Sequence, residues 1–316
     1  MKKLICVLTF IFLMFTGTTS FCENTKVYSI KEIYLDDGFV YGRESNTYIN
    51  GLVKSYYDES GNLESEVSYK DGKLNGIAKG YYESGNLKYE ETYKDDKQNG
   101  IAKYYYESGN LKHEGLFKDG KLNGIAKYYY ESGNLKHEGL FKDGKQNGIK
   151  KGYYDESGNL KYEGSYKDDK QNGIAKGYYE TGNLKHEGLF KDGKQNGISK
   201  FYYETGNLKA EASYKDGKLN GISKFYYETG NLKAEASYKD GKLNGITKGY
   251  YESGNLKSEE SYKDGKQNGI EKKYSEKDEL IREVTYKDDV AVAGSFYNKD
   301  GSQTKMTNAH LHKLNR

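Results

Sequence analysis

From residue 51 onward the chain repeats itself every 24 residues, and that period leaves few architectures open. A glycine anchors each copy: Gly51, Gly76, Gly100, Gly124, Gly148, Gly173, Gly197, Gly221, Gly245 and Gly269. Two intervals lengthen to 25, through Asp58 and Asp155, each lying between a Tyr-Tyr pair and a Glu-Ser-Gly-Asn tract. Insertions are absorbed by loops, so that tract is a turn. A unit this short cannot bury a core alone and must stack on its neighbours.

One copy reads Gly100-Ile101-Ala102-Lys103-Tyr104-Tyr105-Tyr106, then Glu107-Ser108-Gly109-Asn110, then Leu111-Lys112-His113-Glu114-Gly115-Leu116-Phe117, then Lys118-Asp119-Gly120-Lys121-Leu122-Asn123. The second and fourth tracts are turns, because Gly, Asn and Asp tolerate the positive φ that hairpins require. Asp96 and Asp169 stand where other copies have the turn glycine, a replacement that the left-handed region accepts. Leu111, His113, Gly115 and Phe117 share one parity and Lys112, Glu114, Leu116 and Lys118 the other, the alternation of a strand. The fold class is therefore all-β, an elongated antiparallel meander of tandem hairpins. Twenty strands spaced about 4.8 Å apart would make a twisted ribbon on the order of 95 Å long.

Rings are expected to hold the ribbon together. The second strand of each copy ends in Tyr or Phe, from Tyr69 to Tyr286. The first carries Tyr at the fifth position after the glycine: Tyr56, Tyr81, Tyr105, Tyr129, Tyr153, Tyr178, Tyr202, Tyr226, Tyr250 and Tyr274. Cross-strand aromatic pairs contribute roughly 0.2–1 kcal/mol each, so stability should accumulate along the array. Two readings of the tyrosine row stand open: packing of ring on ring, or a recognition surface offering large contact area at low entropy cost. On the second reading Tyr81, Tyr105, Tyr129, Tyr153, Tyr178, Tyr202, Tyr226 and Tyr250 are the candidate interaction residues.

The ends differ from the middle. Met1-Lys2-Lys3, an apolar run from Leu4 to Phe15 and then Thr16-Gly17-Thr18-Thr19-Ser20 follow the order of a secretory signal peptide, so residues 1–20 are expected to be removed on export to the periplasm, cell surface or exterior. Cys22 follows Phe21, a poor fit to a lipid-acceptor site. Residues 21–50 are expected to cap the first hairpin through Tyr28, Ile30, Ile33, Tyr34, Val40 and Tyr41. Ten repeats span 51–289, and 290–316 should supply a closing strand followed by a polar tail.

Composition excludes several functions. A net charge of +3 lacks the basic excess that nucleic-acid binding needs. With one cysteine beyond the leader, no internal disulfide or cysteine-based metal cluster can form. His113, His137 and His186 recur one or more copies apart; equivalent atoms in adjacent copies stand about 10 Å apart, too far to share one zinc ion. They are expected to fill the ring slot that Tyr89 and Tyr162 fill elsewhere. Each Asp-Gly turn offers one carboxylate, whereas calcium takes about six to eight oxygens. No nucleophile-base set or phosphate loop stands out of the repeat, so we expect neither catalysis nor a cofactor.

The string Tyr-Tyr-Glu-Ser-Gly-Asn-Leu-Lys-x-Glu-x-x-Tyr/Phe-Lys-Asp-Gly-Lys-x-Asn-Gly resembles the bacterial variant of the MORN repeat over about residues 48 to 289. His113-Glu114-Gly115-Leu116-Phe117 falls where the common unit has Tyr-x-Gly-x-Trp, and Lys118-Asp119-Gly120-Lys121-Leu122-Asn123-Gly124 where it has Lys-Asn-Gly-Lys-x-x-Gly. Trp is absent, and Glu91, Ala212 and Ala236 replace the mid-strand glycine. The resemblance implies a non-enzymatic scaffold that binds proteins or lipids; similar chains include YwqK-type antitoxin components and exported repeat proteins of fusobacterial type. The expected role is an exported scaffold for protein partners. Wall glycan, choline or lipid headgroups and a toxin partner are the alternatives, and the free sheet edges permit self-association.

Overall fold

A computed structural model describes residues 25–315; the expected signal peptide and Cys22 lie outside the described residues. The chain forms one 25-stranded sheet with a separate two-stranded ribbon at its start. The opening segment contributes β1 (Val27–Ser29), β2 (Ile33–Asp36) and β3 (Phe39–Gly42), and the first repeat β4 (Gly51–Tyr56) and β5 (Leu63–Lys70). From β4 to the strand Val290–Tyr297, successive strands pair antiparallel.

Each Asp-Gly turn is a two-residue hairpin with both residues at positive φ: Asp119 at 50° and Gly120 at 78°, closed by the pair Lys118 and Lys121. That geometry matches the right-handed twist of the flanking strands. The following strand consequently begins at Lys121, and Leu122 and Asn123, expected in the turn, are part of the strand Lys121–Tyr129. The anchoring glycine sits at a bulge in that strand. Gly115 pairs with Ala126 but Phe117 with Leu122, so extra residues are taken up around Gly124, whose φ of 134° suits only glycine.

Both long edges are stitched from copy to copy. On the Tyr-Tyr edge, the Tyr57 hydroxyl donates to the Tyr81 carbonyl at 2.7 Å, and the same bond recurs at 2.8–3.0 Å from Tyr82 through Tyr251. Asn62 Nδ2 donates to the Glu83 carbonyl, and its counterparts through Asn255 repeat the contact at 2.8–2.9 Å. On the Asp-Gly edge, the Gly144 amide donates to the Leu122 carbonyl at 2.9 Å, one copy back. Where aspartate replaces the turn glycine it adds a bond: Asp96, Asp169 and Asp289 accept from the backbone amides of Leu74, Gln146 and Gln267 at 2.7–2.8 Å.

A one-layer sheet has no opposing layer, so burial must come from neighbours on the same face. On one face a central row of small residues runs across the strands, including Ala102, Gly115, Ala126 and Gly139. Ala126 is 2 % exposed because taller rows flank it, His113 and Tyr128 on one side and Phe117 and Leu122 on the other. Pairing in the first of these flanking rows conserves volume. Gly80 and Gly152 lie under the rings of Tyr89 and Tyr162, and a Cβ on either glycine would come within 2.2 Å of the ring. Tyr104 and Tyr128 instead face His113 and His137.

The ends are closed by different means. β1 pairs in parallel with β4, and Ile33, Val40, Ile49 and Val53 make a small core over the first hairpin. At the other end Val290–Tyr297 closes the sheet, but the polar tail expected beyond it is structured. Gln303–Lys305 adds a short strand, and helix α1 (Asn308–Leu314), capped by Thr307, follows. The reason lies in three spaced apolar residues: Met306, Leu311 and Leu314 pack on Val284, Tyr286 and Ala291 and cover the last hairpin.

Candidate functional site

The opposite face carries three parallel rows. Its central row alternates lysine and glutamate without interruption from Lys54 to Glu283: Lys103, Glu114, Lys127 and Glu138 stand on successive strands, each opposite the next. Ion pairs close between Lys54 and Glu66 at 3.6 Å and between Lys79 and Glu90 at 3.4 Å. Solvent-exposed pairs of this kind contribute about 0–1 kcal/mol each, so the ladder fixes charge pattern more than stability.

The predicted tyrosines form the second row. Tyr81, Tyr129, Tyr153, Tyr178 and Tyr202 donate their hydroxyls to Glu66, Glu114, Glu138, Glu163 and Glu187 at 2.9–3.1 Å. Tyr226 and Tyr250 reach Glu211 and Glu235 at 3.4 Å, and Tyr105 holds the same register opposite Leu111. Partial burial and the adjacent Glu114 carboxylate push the Tyr129 hydroxyl up to about 12. Each tyrosine thus stands half-buried against the charge ladder, and all of these hydroxyls but that of Tyr105 are engaged by a glutamate.

The third row is aliphatic and lies outside the residues that the sequence singles out. Ile77, Ile101, Ile125, Ile149, Ile174, Ile198, Ile222, Ile246 and Ile270, each one residue after an anchoring glycine, are 44–60 % exposed. Leu116, Leu140 and Leu189 lie between them on the intervening strands, opposite Ile101, Ile125 and Ile174. Ile101, Leu116 and Ile125 border a depression of about 360 Å³ whose rim holds Glu114 and Lys127, and Ile125, Leu140 and Ile149 border another of about 300 Å³. The sequence signal was the Gly-Ile dipeptide present in nine of the ten copies.

The histidines are part of the ring row on the other face. His113 stacks at 4.1 Å on Tyr104 and 5.4 Å from Tyr128, and His137 at 4.3 Å on Tyr128. Burial, with Lys112 nearby, holds His113 below the ordinary histidine value. Glu91 interrupts the small row, where Tyr93 and Gln98 donate to it at 2.7 Å and Tyr104 donates as well. Among the described residues, no group of three or more His, Cys, Asp or Glu is placed to hold a metal ion, and no helix is long and apolar enough to cross a membrane.

No curated protein matches the chain. Among solved structures, the crystal structure of TcdB2-TccC3-Cdc42 is 11% identical with a TM-score of 0.18, covering 79% of this chain and 17% of that one. The structure of TcdB2-TccC3 without its hypervariable C-terminal region is 12% identical with a TM-score of 0.18, covering 77% and 16%. The chain thus spans less than a fifth of either, and a likeness at that level says nothing of what it binds. The MORN repeat variant profile matches ten times, over residues 50–71, 74–95, 98–119, 122–143, 153–168, 171–192, 195–216, 219–240, 243–264 and 267–288. Ten copies in register with ten hairpins make this chain a member of the MORN repeat variant family.

Proposed function

We propose that the chain is an exported, non-catalytic scaffold that binds a protein partner through the face bearing the isoleucine, tyrosine and lysine/glutamate rows. The observation that carries this reading is the isoleucine row. Apolar side chains about half exposed, repeated at one spacing along the sheet and rimmed by charge, mark an interaction surface. Tyr81, Tyr105, Tyr129, Tyr153, Tyr178, Tyr202, Tyr226 and Tyr250 supply the polar border of the same contact. Export rests on the order of charges and apolar residues in 1–20.

Repetition supplies affinity through number. A contact too weak to hold alone becomes strong when several engage at once, provided the partner spans them. Removing whole repeats should therefore weaken binding in steps, read as the yield of crosslinked adduct formed by the tagged chain in its own cells. Unchanged yield after deletion of four repeats would defeat the proposal. Retention on purified wall or on liposomes, lost when the tyrosine row is changed to alanine, would instead favour glycan, choline or lipid headgroups. Co-purification with a toxin would favour an immunity role.

A further inference from the structure

The ring row on the opposite face is interrupted at Ala210. In order across the strands it reads Tyr104, His113, Tyr128, His137, Gly152, Tyr162, Gly177, His186, Phe201, Ala210, Phe225, Ala234 and Gly249. Gly152 and Gly177 lie beneath the rings of Tyr162 and His186, which fill the space above them. Ala234 has a ring on one side only. Ala210 is a small residue, 8 % exposed, with an aromatic side chain on the neighbouring strand at each side, Phe201 and Phe225.

Side chains two strands apart on one face stand about 9.6 Å apart, which leaves room for one flat ring between two others. The molecule shows this occupancy elsewhere: His113 sits between Tyr104 and Tyr128 at 4.1 and 5.4 Å. At Ala210 the same place is a cavity of about 420 Å³, bordered by Phe201 and Phe225.

The floor carries a polar handle. Ser223, 1 % exposed, lines the cavity, and its hydroxyl has no hydrogen-bond partner. One copy earlier, Ser199 accepts from Gln195 at 3.2 Å; the residue equivalent to Gln195 beside Ser223 is Leu219, which cannot donate. A buried hydroxyl left unpaired is unfavourable, and a ligand's polar group would recover that loss. The charged residues bordering the cavity are Lys185 and Lys209, with no carboxylate among the lining side chains.

We infer that this cavity is a binding slot for a small planar aromatic acid, its ring stacked between Phe201 and Phe225, a ring hydroxyl on Ser223 and its carboxylate toward Lys185 and Lys209. The site lies on the other face from the isoleucine row and is independent of the protein-binding reading.

Titration of the purified chain with 4-hydroxyphenylacetate, followed by calorimetry and by ligand-observed nuclear magnetic resonance, tests it. We expect saturable binding at one site per chain. Ala210→His should weaken it at least tenfold while leaving the melting temperature near that of the parent, because histidine is accommodated at the equivalent position between Tyr104 and Tyr128. Should Ala210→His unfold the chain, Ala210→Val fills part of the slot and is expected to weaken binding by a smaller factor. Ser223→Ala should cost several-fold, and cyclohexylacetate, equally charged but not flat, should bind at least tenfold more weakly. Absence of saturable binding at millimolar ligand would overturn the inference, as would affinity unmoved by a folded Ala210 variant or equal affinity for cyclohexylacetate.

Discussion

Ala126 and Ile125 are neighbours in the chain, yet one is 2 % exposed and the other 57 %. The pleat sends them to opposite faces, and the two faces solve different problems. On the alanine side, rings and leucines rise on either flank of a row of small residues and shield it without a second layer. On the isoleucine side nothing rises beside the aliphatic row, whose neighbours are alternating charges and half-buried tyrosines. A sheet one layer thick can obtain its burial from one face and leave the other free, and repetition makes that division the same in nearly every copy.

The largest expected effect falls on the ring face. Ala126→Leu overfills the small row and should cost about 1–3 kcal/mol, read as a fall in denaturant midpoint, whereas Ile125→Thr should change it by less than about 0.5 kcal/mol. Equal losses at the two positions would erase the distinction between the faces. Gly124→Ala sharpens the comparison, since it immediately precedes both in the strand: at a φ of 134° an alanine is strained, and about 1–3 kcal/mol should be lost through the backbone alone.

Next in size is the stitching along the edge. Tyr106→Phe removes the hydroxyl that donates to the Tyr129 carbonyl at 2.9 Å and should cost about 0.5–1.5 kcal/mol, visible as faster amide exchange in the adjoining turns. A smaller effect comes with pH. Tyr81, Tyr129, Tyr153, Tyr178 and Tyr202 are pushed up to about 12 by partial burial and their glutamate partners, above the 10 of a free tyrosine. Folding therefore favours the protonated phenol. That stabilisation is complete below pH 10 and is lost as pH rises from 10 through 12, so tyrosinate absorbance should appear late and together with unfolding. Smallest is Lys127→Gln, within about 0.5 kcal/mol in a ladder of exposed charges.

Much of this architecture was legible because the period multiplies each signal. The alternation of Leu111, His113, Gly115 and Phe117 fixed the strand and the face, and Asp58 and Asp155 marked the turn that absorbs them: Gly61 and Gly158 close it over one extra residue, bonding to Tyr57 and Tyr154. What escaped depends on partners that side-chain patterns do not announce. Tyr106 and Asn110 bond to backbone carbonyls of the next copy, so no second side-chain motif points to them. The Tyr105-type row stands out in the sequence and the isoleucines do not, because a β-branched residue in a strand is expected to be inside, and only the absence of a second layer leaves it out. The terminal helix is hard to see in the sequence because Leu311 and Leu314 are its sparse apolar residues, and their packing surface is the end of the sheet rather than a face of it.

The division of labour between the faces is tested most directly by replacing Ile101, Ile125, Ile149 and Ile174 together with threonine, then measuring thermal unfolding and crosslinking of the tagged chain in its own cells. We expect the unfolding transition to stay within a few degrees of the parent while the crosslinked adduct disappears. An adduct formed in full by a chain that has kept its stability would contradict the assignment of recognition to the isoleucine face.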